Sequence, residues 1–173
     1  MPTVRKLHDE AEIEKRVSEL AGAIAGALPK DFIVVCVLKG GFVFAADLVR
    51  ALDRAGRTPE IEFIRLGSYG MGTESASAVN LIGGPPKGVK GRAVLLVDDI
   101  ADTGRSLLRA CELLAEAGAA KVWTCVLADK PARREVEVTP DFVGFTVPNA
   151  FVVGYGIDLA EKYRQLPYLG VVE

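Results

Sequence analysis

Apolar positions recur along this chain with two periods. Ile13, Val17, Leu20, Ile24 and Leu28 step by four, three, four and four, the stripe of a helix with one buried face. Asp9, with Glu12 three residues on, supplies a capping signal, and Pro29 a stop. Phe32 to Leu38 is an unbroken apolar run, which predicts a strand buried on both faces. Gly40-Gly41 ends that run, and a second helix is expected to about Arg54. Further strands are predicted at Ile61–Leu66, from Val94 to Val97, at Val122–Leu127, Asp141–Val147 and Phe151–Tyr155, with a turn at Pro148-Asn149. A third helix spans Gly104 to about Ala117. From about 67 to 92 the chain is glycine-rich and aperiodic. A loop of that length in a compact domain is usually functional, so a long mobile lid is expected there. Strands alternate with helices as far as Leu127. The fold class is therefore α/β, a mostly parallel twisted sheet with helices on both faces. No repeat, linker or break in composition divides residues 1–173, which read as a single domain.

Composition narrows the function classes. Half of the 173 residues are apolar and a quarter are charged, which is globular. The net charge is −2 with no long basic run, so no nucleic-acid partner is expected. No apolar stretch approaches a membrane span, and Met1 to Glu12 lacks a signal-peptide core. Cys36, Cys111 and Cys125 are odd in number and far apart, without zinc-ligand spacing. They read as free thiols of a cytoplasmic protein, Cys36 and Cys125 in strand runs and Cys111 in a helix. The single histidine, His8, precedes the first helix and is expected to have no catalytic role.

The segment from Val94 to Leu107 carries the chemistry. Its apolar run ends in two adjacent carboxylates, Asp98 and Asp99. A loop with Asp102, Thr103, Gly104 and Arg105 follows and opens a helix at Ser106. Ligands of open parallel sheets bind outside the carboxyl ends of the strands. The free N–H groups at a helix N-terminus favour a phosphate. Carboxylates for hydroxyls or a metal thus stand beside donors for a phosphate, groups that a phosphorylated sugar presents together. The strings of a Walker A loop and of a dinucleotide fingerprint are both missing here. Leu38-Lys39-Gly40-Gly41 repeats the arrangement at another strand end. Its glycines let backbone approach an anion, and Lys39 adds a charge.

This segment resembles the phosphoribosyl-diphosphate (PRPP) signature of the type I phosphoribosyltransferases. Leu38-Lys39-Gly40-Gly41-Phe42, Ser68-Tyr69-Gly70, Asp129-Lys130-Pro131 and the block from Phe142 through Phe151-Val152 and Asp158 to Tyr163-Arg164 follow in the order seen in hypoxanthine-guanine phosphoribosyltransferases. The match runs from about Glu12 to Val172. It implies that fold, with a small purine-binding hood at about 129–173. It also implies a role for each matched residue. Asp98 and Asp99 bind the ribose hydroxyls, directly or through magnesium. Thr103, Gly104, Arg105 and Ser106 hold the 5′-phosphate. Lys39 and Gly40, after a non-proline cis peptide, bind pyrophosphate together with Arg164. Asp102 manages the purine N7 proton and Lys130 reaches the 6-oxo group. Phe151 stacks on the base, the Val152 backbone reads its edge, and Asp158 borders the purine and reaches a second magnesium. Ser68 and Tyr69 lie on the lid. Three features depart from the common pattern: Asp98 where Glu is frequent, Arg105 where Lys or a small polar residue is frequent, and an Ala- and Ser-rich stretch from Thr73 to Val79.

The function so implied is purine salvage, in which PRPP and hypoxanthine or guanine give IMP or GMP and pyrophosphate. Magnesium is the expected cofactor, and a homodimer or homotetramer the expected assembly. A xanthine-preferring enzyme is one alternative. A non-catalytic PRPP-sensing regulator is another, but it would be expected to carry a nucleic-acid-binding surface that this chain lacks.

Overall fold

The structure is a computed structural model that describes residues 2–68 and 79–173. Its main sheet holds β2 (Ile33–Leu38), β3 (Glu60–Ser68), β4 (Val79–Ile82), β5 (Ala93–Ala101), β6 (Lys121–Asp129) and β7 (Phe142–Thr146), in the order β4-β3-β2-β5-β6-β7. All neighbours are parallel except β3 and β4. A second, antiparallel sheet joins β1 (Val4–His8), β9 (Leu169–Val172) and β8 (Val152–Val153), in that order.

The unbroken apolar strands are buried on both faces because helices cover both. Val34, Cys36, Leu95, Val97, Cys125 and Leu127 point to one layer, with α1 (Glu10–Ala27) and α2 (Phe42–Arg54). Their neighbours Ile33, Val35, Val94, Leu96 and Val126 point to the other, with α3 (Arg105–Glu116). The strand period of two divides one apolar run between two cores. The helix stripe is as expected: Ile13, Val17, Leu20, Ile24 and Leu28 are all buried. So is its start, where Glu12 N–H donates to Asp9 Oδ1 at 2.8 Å and Asp9 N–H donates to Glu12 Oε2 at 3.3 Å.

Four features differ from the sequence reading. The acidic pair does not follow β5 but lies within it. Pairing with β2 ends at Val97, whereas pairing with β6 continues to Ala101 opposite Asp129. The expected loop over 67–92 is shorter. Ser68 pairs with Val79, Val79–Ile82 form an edge strand, and Val89 is buried in the α3-side core. Its central part, with Tyr69, lies outside the described residues. The Phe151–Tyr155 strand contracts to Val152–Val153, because Gly154 and Tyr155 turn left-handed with φ of 99° and 51°. Finally, the C-terminal segment expected as a hood pairs with the N-terminal strand β1, which carries His8. The His8 ring stacks on Phe145 with 4.0 Å between centroids.

Candidate active site

The strand ends that face the mouth of α3 gather most of the residues singled out above. Asp98, Asp99, Asp102, Thr103, Gly104 and Ser106 line one cavity. A larger cleft between α1 and α2, lined by Glu14, Asp47, Arg50 and Tyr155, contains none of them. The smaller cavity is the candidate site because it joins carboxylates to a helix N-terminus.

Asp98 is only 8% exposed. Its Oδ1 accepts from Asp99 N–H at 2.8 Å, and Asp99 Oδ1 accepts from Ile100 N–H at 2.7 Å. Burial pushes both carboxyls above the usual range; the neighbouring Asp99 charge adds to the effect on Asp98. Hydrogen bonds and the Arg164 guanidinium partly oppose the rise at Asp99. Two desolvated carboxylates side by side are costly when both are ionised. A hard divalent cation relieves that repulsion, and an all-oxygen donor set suits magnesium, which is commonly held by one or two carboxylates plus substrate oxygens. Among the described residues no three His, Cys, Asp or Glu side chains form a metal-holding group, so Asp158 is not part of the Asp98–Asp99 pair.

Gly40 sits directly against this pair. A Cβ there would fall 1.8 Å from Asp99 Oδ2, and one on Gly156 would fall 2.3 Å from the Gly40 carbonyl oxygen. The Leu38–Lys39 peptide is cis, as the resemblance implies. Lys39 Nζ donates to Glu161 Oε2 at 2.8 Å. Arg164 donates to the Gly156 carbonyl at 2.7 Å and to Glu161 Oε1 at 3.2 Å, and lies 3.4 Å from Asp158 Oδ1. Asp158 Oδ2 accepts from Glu161 N–H at 2.8 Å, so it caps its own turn. The expected pyrophosphate residues therefore converge beside Asp99.

The Asp-Thr-Gly loop is held from above. Gly104 has φ 88°, and a Cβ there would strike Val138 and Arg134. Glycine answers both the left-handed backbone and the close approach. Gly104 offers α3 no side-chain cap; Arg105 N–H donates to Thr103 Oγ1 at 3.4 Å, and Ser106 and Leu107, next in the first turn, line the cavity. Arg105 does not face that cavity as a free cation, since its Nε donates to Glu135 Oε2 at 2.7 Å.

The β5–β6 register brings Asp102 and Lys130 together. Lys130 N–H donates to the Ala101 carbonyl at 2.9 Å, one residue past the Ala101–Asp129 pair. Lys130 is 7% exposed; burial lowers its ammonium pKa, and the Asp102 charge partly restores it. Phe151, just before β8, is 67% exposed, an unusual position for a large aromatic and an open face for a flat ligand. Val152 is buried in β8 opposite Val171. Ser68 closes β3, and Tyr69 is outside the described residues.

Besides Glu161, three residues around the Asp102 loop escaped the sequence reading. Arg133 Nε lies 3.1 Å from Asp102 Oδ1, off hydrogen-bond geometry, so this oxygen is buried with no hydrogen-bond partner. Arg134 donates to Asp129 Oδ1 at 2.6 Å and to the Asp102 carbonyl at 2.9 Å, tying the end of β6 to the loop. Glu135 N–H donates to the Thr103 carbonyl at 2.9 Å. The only signal in the sequence was their position just after Lys130-Pro131. The cysteines offer no nucleophile: burial pushes Cys36 up to about 12, Asp98 and Asp99 adding to it, and Cys111 up to about 11.

Comparisons with known proteins agree with this fold. The phosphoribosyl transferase domain profile matches residues 3–159. The hypoxanthine phosphoribosyltransferase of Escherichia coli K12 is 39% identical over 98% of this chain and 96% of its own length. The hypoxanthine-guanine phosphoribosyltransferase of Bacillus subtilis is 40% identical over 96% of this chain and 92% of its own. The solved hypoxanthine-guanine phosphoribosyltransferase of Bacillus anthracis superposes with a TM-score of 0.90 at 38% identity, covering 99% of this chain and 100% of that one. The Trypanosoma cruzi hypoxanthine phosphoribosyltransferase, solved with the product IMP, gives 0.89 at 34% identity, covering 98% and 94%.

Proposed function

This chain belongs to the phosphoribosyltransferase family, and from that premise we propose that it transfers the phosphoribosyl group of PRPP to hypoxanthine or guanine, giving IMP or GMP and pyrophosphate. One observation carries the reading: the buried Asp98–Asp99 pair stands between the Gly40 backbone and the Asp102–Ser106 loop at the mouth of α3. A sugar bearing a 5′-phosphate and a 1-pyrophosphate needs those three chemistries in that order.

The N–H groups of α3 and the Thr103 and Ser106 hydroxyls hold the 5′-phosphate. Asp98 and Asp99 hold the ribose hydroxyls and a magnesium ion, and Asp158 borders a second. Bound magnesium supplies positive charge to oxygens of the departing pyrophosphate. Lys39 and Arg164 add theirs, while the Gly40 backbone lets the anion approach. Asp102 takes or lends the N7 proton as purine N9 attacks the sugar carbon. Its Oδ1 accepts no hydrogen bond, Arg133 Nε lying 3.1 Å away off hydrogen-bond geometry, and so keeps acceptor capacity for that proton. Lys130 donates to the 6-oxo oxygen, Phe151 stacks on the ring and the Val152 backbone reads its edge. The active assembly is a homodimer or homotetramer, in the cytoplasm; among the described residues no helix is long and apolar enough to cross a membrane.

A direct test mixes the protein with PRPP, magnesium and hypoxanthine and follows IMP and pyrophosphate. The expected result is one of each per PRPP consumed. Pyrophosphate without IMP, or neither product, overturns the proposal.

A further inference from the structure

Two cations assigned above to pyrophosphate already share an anion. Lys39 Nζ donates to Glu161 Oε2 at 2.8 Å, and Arg164 Nη2 donates to Glu161 Oε1 at 3.2 Å. Each oxygen of one carboxylate thus serves one cation, the division that a phosphoryl O–P–O edge would make. The pair comes from distant parts of the chain, the turn after β2 and the loop before β9, and Glu161 bridges them. The two cations also hold the Glu161 carboxyl below its usual range.

The bridge is built to yield. The Glu161 side chain is 65% exposed and the Lys39 side chain 50%. Exposed ion pairs are individually weak and are screened by salt. Arg164 is held in place without Glu161, by the Gly156 carbonyl at 2.7 Å and by Asp158 at 3.4 Å, and its buried Nε has no hydrogen-bond partner. The backbone that presents Glu161 is unusual too. Ala160, Glu161 and Tyr163 are left-handed, with φ of 52°, 66° and 77°, a conformation that non-glycine residues adopt at an energetic cost and keep mainly at functional sites.

We propose that Glu161 is an internal counter-anion of the pyrophosphate subsite: its carboxylate bridges Lys39 and Arg164 until pyrophosphate displaces it, and by competing for both cations it weakens the hold on that product. The inference rests on the function proposed above. Glu161 touches the two binding cations and acts through them, so it is a positioning residue for product release. Displaced but still nearby, the carboxylate also repels the bound anion, so both effects act in the same direction.

Calorimetric titration with magnesium pyrophosphate tests this on the full-length protein and on Glu161→Gln, Glu161→Ala and Arg164→Ala. Glutamine keeps the shape and removes the charge. Two weak exposed pairs together correspond to an expected gain of about threefold to tenfold in affinity for Glu161→Gln. Glu161→Ala should move in the same direction, and the inhibition constant of pyrophosphate against PRPP should fall by the same factor. Arg164→Ala should bind at least tenfold more weakly. Unchanged or weaker binding by both Glu161 variants, with Arg164→Ala impaired, overturns the counter-anion role and leaves the function standing. Wild-type protein that binds no pyrophosphate overturns both.

Discussion

Gly40 and Asp99 pack so closely that no side chain fits between them: a Cβ on Gly40 would lie 1.8 Å from Asp99 Oδ2 and 2.5 Å from its Cγ. The Leu38–Gly41 turn and the acidic strand are therefore one unit, although Gly40 and Asp99 stand 59 positions apart in the chain. Asp99 is partly buried and its Oδ1 is engaged by Ile100 N–H, so it cannot swing aside freely. Gly40→Ala should force Asp99 or the turn to move, at an overpacking cost of about 1–3 kcal/mol. The expected outcome is a fall in kcat/KM for PRPP of at least about tenfold with the fold intact by circular dichroism. Normal PRPP kinetics in Gly40→Ala would show that the contact is not part of the site.

The acidic pair also sets how stability depends on pH. Burial and mutual repulsion raise the Asp98 carboxyl well above its ordinary 3.8, and burial raises Asp99. The folded chain then keeps protons that the unfolded chain releases. Stability contributed by this pair is present below about pH 4 and is lost as pH rises from there through the raised values. Asp98→Asn removes part of that loss and keeps an oxygen to accept from Asp99 N–H. In ligand-free protein, Asp98→Asn should raise Tm on the alkaline side and flatten its decline as pH rises above about 4, while PRPP turnover falls. The two Tm–pH curves measured in parallel check this, and parallel slopes would contradict it.

Arg134 carries a structural prediction. Its guanidinium and the Asp129 carboxylate are both largely buried and lie 2.6 Å apart, and it also supports the Asp102 carbonyl. Removing one partner of a buried ion pair leaves an uncompensated charge and typically costs about 3–5 kcal/mol. Arg134→Ala should lose stability of that order in urea unfolding. Arg134→Lys should recover only part, because one ammonium cannot reproduce the two-pronged contact. A change below about 1 kcal/mol in Arg134→Ala would remove this residue from the support of the loop.

The sequence made some of this visible and hid the rest for physical reasons. Phe32–Leu38 and Val94–Val97 read clearly as strands because both sheet faces are covered and nothing interrupts the apolar run. The α1 stripe and its capping box are local patterns and appeared as such. β1 and β9 pair across most of the chain, Val4 with Val172, and the polar Val4–His8 strand has no alternation to betray it. β4 is a four-residue edge strand, legible only through its partner β3. The strand-end chemistry was evident at Asp98–Ser106, because motif and loop are contiguous. Arg133, Arg134, Glu135 and Glu161 were not, since only the fold sets them against Asp102, Thr103 and Lys39.

Asp102 separates catalysis from binding. Asp102→Asn keeps the shape and the backbone carbonyl that Arg134 holds, and removes the proton acceptor. General acid–base catalysis contributes roughly 10²–10⁴-fold. kcat should fall within that range, while PRPP affinity by calorimetry changes much less, since the proposed phosphate donors are α3 N–H groups that this change leaves in place. Near-normal kcat would assign the base elsewhere.

Base choice is read from kcat/KM measured side by side for hypoxanthine, guanine, xanthine and adenine, with PRPP and magnesium. Lys130 is a buried donor beside Asp102 and meets a 6-oxo acceptor well. The 6-amino group of adenine would set donor against donor, leaving a buried charge unpaired at a cost of about 3 kcal/mol or more. IMP and GMP should form from hypoxanthine and guanine, with adenine at least about a hundredfold poorer. Adenine used as well as hypoxanthine, or no nucleotide from any base, would contradict it.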